Sequence, residues 1–184
     1  SAPASTTVTV KPKPATPIVS NDGPKCIGED ILLSTLSVNG ASYEWTGPNP
    51  YSQQNPTINN ATTSDGGEYK LIITVDGCES DEAATTVVIN DKPTVTLDPV
   101  SVLCDDASPV VLVGNPNSGT YNGNGVSGNL FDPADAKAGT HVVSYTYTDN
   151  NNCTNEAIIN IEVQEKPEAI ISSIDQLCEG AADV

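Results

Sequence analysis

The sequence predicts an all-β fold made of tandem β-sandwich modules, and three observations carry that expectation. Thr, Val, Asn, Gly and Pro abound, Met is absent and aromatic residues make up only 4% of the chain. With no long stretch of helical periodicity, that composition reads as many short strands with frequent turns. A short strand-like run also ends three times in Lys-Pro: Thr7-Val8-Thr9-Val10 before Lys13-Pro14, Val87-Val88-Ile89 before Lys92-Pro93, and Ile161-Glu162-Val163 before Lys166-Pro167. Finally, a cysteine follows each junction (Cys26, Cys104, Cys178), so the frame repeats about every 75 residues, the length of one small domain.

This frame sets the expected organisation. Residues 1–13 read as the last strand and linker of a preceding module, 14–91 and 92–165 as two complete modules, and 166–184 as the start of a following one. Lys11-Pro12-Lys13-Pro14 is a stiff connector, because proline fixes φ and disfavours helix before it. In the first module Ile31-Leu32-Leu33 reads as a buried strand. Ala41-Ser42-Tyr43-Glu44-Trp45 alternates, with Tyr43 and Trp45 on one face, and Gly47-Pro48-Asn49-Pro50 turns the chain. Gly67 to Val75 is the longest strand, with Tyr69, Leu71, Ile73 and Val75 on one face, and Asp76-Gly77 is a hairpin signal before Cys78. In the second module Gly119-Thr120-Tyr121 and the glycine-rich run Gly123 to Phe131 precede a strand whose face is His141, Val143, Tyr145 and Tyr147. Ala157, Ile159, Ile161 and Val163 form the matching face of the last strand.

Charge and cysteine usage narrow the function classes. A formal charge of −17 repels nucleic acid and anionic lipid surfaces, so neither is expected as a partner. No apolar run approaches the ~20 residues of a membrane span, so no membrane insertion is expected. The five cysteines are an odd number that the repeat accommodates. The expected bridges are Cys26–Cys78 and Cys104–Cys153, one per module, while Cys178 finds its partner in the remainder of a third unit. Each bridge would close a loop of about 50 residues and stabilise its module by at most about 4 kcal/mol. Disulfides in small all-β modules imply an oxidising, extracytoplasmic compartment. No CxxC occurs and no histidine stands at zinc spacing.

Trp45, followed by Asp65-Gly66-Gly67-Glu68-Tyr69 before a further strand, resembles the immunoglobulin fold. The resemblance implies that Tyr69 is a tyrosine corner, its hydroxyl bonded back to the preceding turn, with Asp65 and Gly67 as fold-defining partners of Trp45. The chain departs from the antibody pattern at Leu71, where a cysteine would stand, and at Ile31-Leu32-Leu33; Leu32 and Leu71 are expected to pack in place of an inner disulfide. The full set is a cysteine near the module start, Tyr43-Glu44-Trp45-Thr46-Gly47-Pro48-Asn49, Asn55-Pro56-Thr57-Ile58, D-x-G-x-Y and a terminal Gly77-Cys78. It resembles the Ig-like and PKD-like repeats of very large Bacteroidetes cell-surface adhesins exported by the type IX secretion system, including gliding-motility adhesins. The second module, with Tyr145-Thr146-Tyr147-Thr148-Asp149, resembles a second repeat type of the same adhesins, with Tyr145 and Tyr147 fold-defining.

Candidate chemistry is sparse. Gly123, Gly125 and Gly128 spell G-x-G-x-x-G, but a dinucleotide site needs a helix opening after it, and Pro133 with scattered glycine argues against one. These are read as turn glycines. His141 has no acid or nucleophile at catalytic spacing, and no serine sits in G-x-S-x-G, so no enzyme is expected. Calcium is the one ligand brought forward. Asp105 and Asp106 adjoin Cys104, Asp132 and Asp135 share a loop, and Asp149 begins a polar turn through Asn152. Against it, no EF-hand spacing exists, and Asp and Asn are ordinary turn formers. Two N-glycosylation sequons, at Asn60 and Asn152, read as coincidence in a bacterial setting. The function these readings imply is a structural repeat segment of a secreted cell-surface adhesin, an extended stalk whose partners are neighbouring modules of the same chain. The competing class is a module that binds glycan or protein on an extracellular surface, with Tyr51 and Tyr121 as its candidate contacts.

Overall fold

The computed structural model describes residues 6–168, which form an all-β, immunoglobulin-like chain in two compact units. Among those residues, the first unit takes the chain through Thr94 together with Tyr147–Asn155, and the second takes Val95–Thr146 and the chain from Glu156.

The strands of the first unit are β1 (Val19–Asn21), β2 (Lys25–Cys26), β3 (Ile31–Thr35), β4 (Ala41–Thr46), β5 (Thr57–Ile58), β6 (Gly67–Val75), β7 (Cys78–Glu79), β8 (Ala83–Val87) and β9 (Ile89–Asn90). One sheet runs β1-β3-β5; the other centres on β6, flanked by β4 on one side and by β7 and β8 on the other. β2 lies parallel to β9, with Cys26 opposite Asn90. Alternation decides which side chains face inward. Ile31 and Leu33 of β3 meet Trp45 of β4 and Tyr69, Leu71 and Ile73 of β6, and Ile58, Ala61 and Val87 complete the core. Burying each large apolar side chain contributes about 1.5–3 kcal/mol. Leu32, expected to pack beside Leu71, instead lies on the outer face at 41% exposure. The period-two pleat leaves only Ile31 and Leu33 to oppose Leu71.

A two-residue turn joins β6 to β7. Asp76 and Gly77 both take positive φ, 52° and 83°, as a type I′ hairpin requires, and Val75 faces Cys78. Of residues 1–13, read from sequence as a closing strand and linker, 1–5 lie outside the described residues, while 6–13 pair with no strand, and Val8 and Val10 stand 80% and 88% exposed.

The second unit contains β10 (Thr96–Leu97), β11 (Leu103–Cys104), β12 (Val110–Val111), β13 (Gly114–Asn115), β14 (Thr120–Gly123), β15 (Val126–Ser127), β16 (Leu130–Phe131) and a helical turn α1 (Pro133–Ala136). The long strands β17 (Gly139–Thr148) and β18 (Thr154–Gln164) follow, their shared turn packing in the first unit. The main sheet runs β11-β18-β17-β14, with smaller sheets β12-β16-β15 and β10-β13. Phe131, Val143, Tyr145, Ile161 and Val163 are buried. After the glycine run the chain forms only the helical turn α1, too short for the helix a dinucleotide site needs. Proline suits the first helical position, and Asp132 caps the turn by accepting from Ala134 N–H. At four residues it is a single turn.

The cysteine pairing differs from the expected one. Cys26 is bonded to Cys153, with Cα atoms 5.6 Å apart, whereas Cys78 is a partly exposed free thiol and Cys104 an exposed one. There is thus one disulfide among the described residues rather than one per module; Cys178 lies outside them. The reason is topological. Cys104 faces Gln164 at the far end of the 11-residue β18, and Cys153 immediately precedes the near end. At about 3.3 Å per residue the two are separated by roughly 35 Å along the strand, against the ~4.4–6.8 Å a disulfide spans. Likewise Cys78 sits opposite Val75 at one end of β6, whereas Val87, just before β9 and the Cys26 position, sits opposite Gly67 at the other.

Candidate functional site

The best-defined polar arrangement in the first unit surrounds Tyr69. Its ring is fully buried and its hydroxyl donates to Asp65 O at 3.0 Å, fixing the turn that leads into β6. Burial raises the phenol above its ordinary pKa. Asp65 holds the same turn with its carboxylate. It accepts from Thr62 N–H and Thr62 Oγ1, each at 2.7 Å, and from the Asn49 amide. These donors, the Thr62 backbone first, hold the Asp65 carboxyl below the usual carboxylate range, against an opposing push from burial. Gly67 takes φ 144°, beside the Pro48 ring. Trp45, opposite Leu71, donates its indole N–H to Gln54 O at 3.2 Å. The Tyr69 hydroxyl, the Asp65 carboxylate and the Trp45 indole N–H are all spent on the fold itself.

In the second unit Tyr145 plays a comparable part from a different strand. Its hydroxyl accepts from Gly119 N–H at 2.7 Å and donates to Pro116 O, tying β17 to the loop before β14. A Cβ at Gly114 or Gly119 would collide with the Tyr145 ring, so both positions require glycine. Tyr121 packs on Tyr145 with centroids 4.5 Å apart and accepts from Gly114 N–H at 2.8 Å. Tyr147 is half-buried on β17. Gly123, Gly125 and Gly128 take φ of 159°, 77° and 61° in the β14–β16 turns.

His141 is engaged at both ring nitrogens. Nε2 lies 2.7 Å from Lys137 O and therefore donates, which leaves Nδ1 to accept from the Asn124 amide at 3.4 Å. The ring stands 6.0 Å from Phe131, so its role is to hold the end of α1.

The aspartates weighed for calcium are not gathered. Asp105 accepts from Lys166 N–H, and Asp106 pairs with the Lys166 ammonium at 2.6 Å, which holds its carboxyl below the usual range. Asp132 caps α1 and Asp135 lies within that turn. Asp149 accepts from the N–H groups of Asn151 and Cys153 in the hairpin tip. Among the described residues no three His, Cys, Asp or Glu side chains converge as a metal site.

Of the two tyrosines considered as glycan contacts, Tyr121 is committed to Tyr145, as above. Tyr51 bridges Trp45 through paired backbone bonds and tilts against Tyr69 at 6.5 Å. Tyr51 also borders an open groove of about 470 Å³, with Tyr43, Glu44, Pro50 and Thr74. No sequence pattern marks this groove, which depends on how the segment after Gly47 folds back on β4.

No family model matches the chain, and no curated protein matches it. Solved structures do. The insect immune protein hemolin gives a TM-score of 0.42 at 13% identity, over 82% of this chain and 47% of that one. A chain from the mouse coronavirus receptor-binding domain in complex with its murine receptor gives 0.39 at 12% identity, over 82% and 100%. Sidekick-1 immunoglobulin domains 1–4 give 0.37 at 18% identity, over 80% and 48%. The present chain thus spans about half the length of two of these three. At such identities and scores nothing of these proteins carries over to this chain.

Proposed function

We propose that this chain is a structural repeat segment of a large secreted cell-surface adhesin of the type IX-exported, gliding-motility kind, serving as an extended stalk in surface attachment. The observation that carries the reading is a frame that recurs in both units. In each, a short cysteine-bearing strand runs parallel to the last strand of the unit, two positions before a Lys-Pro junction. The site residues are spent internally, on tyrosine ties, turn caps and a disulfide, which suits a part that bears load between neighbouring modules. The charge of −17 keeps such a chain soluble and self-repelling. No catalytic role is assigned.

Single-molecule pulling tests the reading. A stalk repeat unfolds in discrete steps whose contour increments lengthen when the disulfide is reduced; featureless extension at low force would overturn it. The second reading, a glycan- or protein-binding module, has the groove beside Tyr43 and Tyr51 in its favour. Specific retention on a glycan array, abolished by Tyr51→Ala, would promote it over the stalk.

A further inference from the structure

The two free thiols occupy the same positions as the two bonded sulfurs, one repeat removed. Cys26 and Cys104 each sit on a short lead strand parallel to the last strand of their repeat, opposite Asn90 and Gln164 respectively. Both of those residues stand two positions before Lys-Pro. Cys78 and Cys153 each follow the tight turn of the hairpin that leads into the last strands. The observed bridge therefore joins the lead-strand cysteine of one sequence repeat to the hairpin cysteine of the next. Bonding within a repeat is excluded by strand length, because the lead strand and the hairpin lie at opposite ends of the sheet.

The hairpins also treat the chain that precedes them alike. Asn155, beside Cys153, donates to Pro93 O at 2.9 Å, in the junction before the second repeat. At the first repeat, Cys78 Sγ lies 4.0 Å from Lys11 O, and the Lys11 ammonium donates to Asp76 O at 3.0 Å. Lys13 pairs with Asp81. In both repeats the incoming Lys-Pro segment runs along the cysteine-bearing hairpin.

We propose that Cys78 and Cys104 are half-cystines of two further bridges in this register. Cys104 bonds the hairpin cysteine of the following repeat, and Cys78 bonds the lead-strand cysteine of the preceding one. Each repeat is then joined to the next by a disulfide as well as by its peptide linker. The proposal rests on the tandem-array reading above. Exposure of Cys104 and partial exposure of Cys78 leave both sulfurs open to a partner. The oxidant is a disulfide-bearing thiol oxidase. The Cys104 thiolate attacks that disulfide, forming a mixed disulfide and releasing one oxidant thiolate. The neighbouring hairpin thiolate then attacks the Cys104 sulfur and displaces the second. Two protein thiols lose two electrons and two protons, and the oxidant disulfide becomes a dithiol.

The test is disulfide mapping of the full parent chain, harvested with thiols blocked by N-ethylmaleimide and digested without reduction. The expected result is a Cys26–Cys153 peptide, a Cys104 peptide linked to the hairpin cysteine of the following repeat, and a Cys78 peptide linked to the lead-strand cysteine of the preceding one. Peptides linking Cys26 to Cys78 or Cys104 to Cys153, maleimide on Cys78 and Cys104, or a bond between two copies of the chain would overturn it. The peptide sequences show independently whether flanking repeats exist. With none, the array reading fails; with repeats present and both thiols labelled, only the ladder fails. A parent chain carrying Cys104→Ser, an exposed position, supplies a second readout. It should gain one maleimide, on the following hairpin cysteine, and a label anywhere else contradicts the register.

Discussion

At the scale of single residues, the first unit depends on a few polar ties made by buried rings. Tyr69→Phe removes only the hydroxyl that donates to Asp65 O and leaves the ring in place. The expected loss is about 0.5–1.5 kcal/mol, read from chemical denaturation. Asp65 adds a pH signature. Its folded pKa lies below the ordinary value, so its contribution is fully present above the unfolded value of about 3.9 and is lost as pH falls through the folded one. Asp65→Asn should therefore lower stability at neutral pH and flatten the decline below about pH 4 relative to the parent chain, measured by denaturation across that range. An unchanged acid slope would mean that the carboxylate does not hold the turn. This tie was legible in sequence, because D-x-G-x-Y brings an acid, a glycine and a tyrosine to one turn. The corresponding tie in the second unit was not. Tyr145 reaches Gly119 and Pro116, 26 and 29 positions earlier, and no local spacing encodes that distance.

At the scale of elements, strand register decides which cysteines meet. Cys26 and Cys104 were each legible as the start of a repeat, and Cys78 and Cys153 as hairpin residues. Pairing within a repeat closes loops of about 50 residues and the observed bridge closes one of 127, which differ by only about 1 kcal/mol in chain entropy, so loop length had no power to choose between them. The strands do choose, by placing lead strand and hairpin at opposite ends of β6 and of β18. In the 184-residue chain under oxidising conditions, Cys26→Ser or Cys153→Ser should lower the melting midpoint, by at most about 5 kcal/mol of stability for so long a loop. Cys104→Ser should leave the midpoint unchanged. A fall with Cys104→Ser as large as with Cys153→Ser would restore pairing within each repeat.

At the scale of the whole molecule, the chain carries a formal charge of −17, and among the described residues no three acidic, histidine or cysteine side chains gather into a metal site. Asp132 and Asp149 cap their own turns and Asp105 and Asp106 bind Lys166, so melting with millimolar calcium and with chelator should give the same midpoint. A rise with calcium would reveal a site made elsewhere. Composition, turn residues and period-two alternation determined the all-β class, the inward faces of β4 and β6 and the turn role of the glycines. All of these follow from interactions within a few residues along the chain. Only the tertiary structure decided that Leu32 faces outward, that Pro133 opens a helical turn, that Tyr145 reaches back to Gly119 and Pro116, and that Cys26 bonds Cys153. Each of these depends on which distant strand lies alongside, a consequence of sheet register and packing that local sequence does not carry.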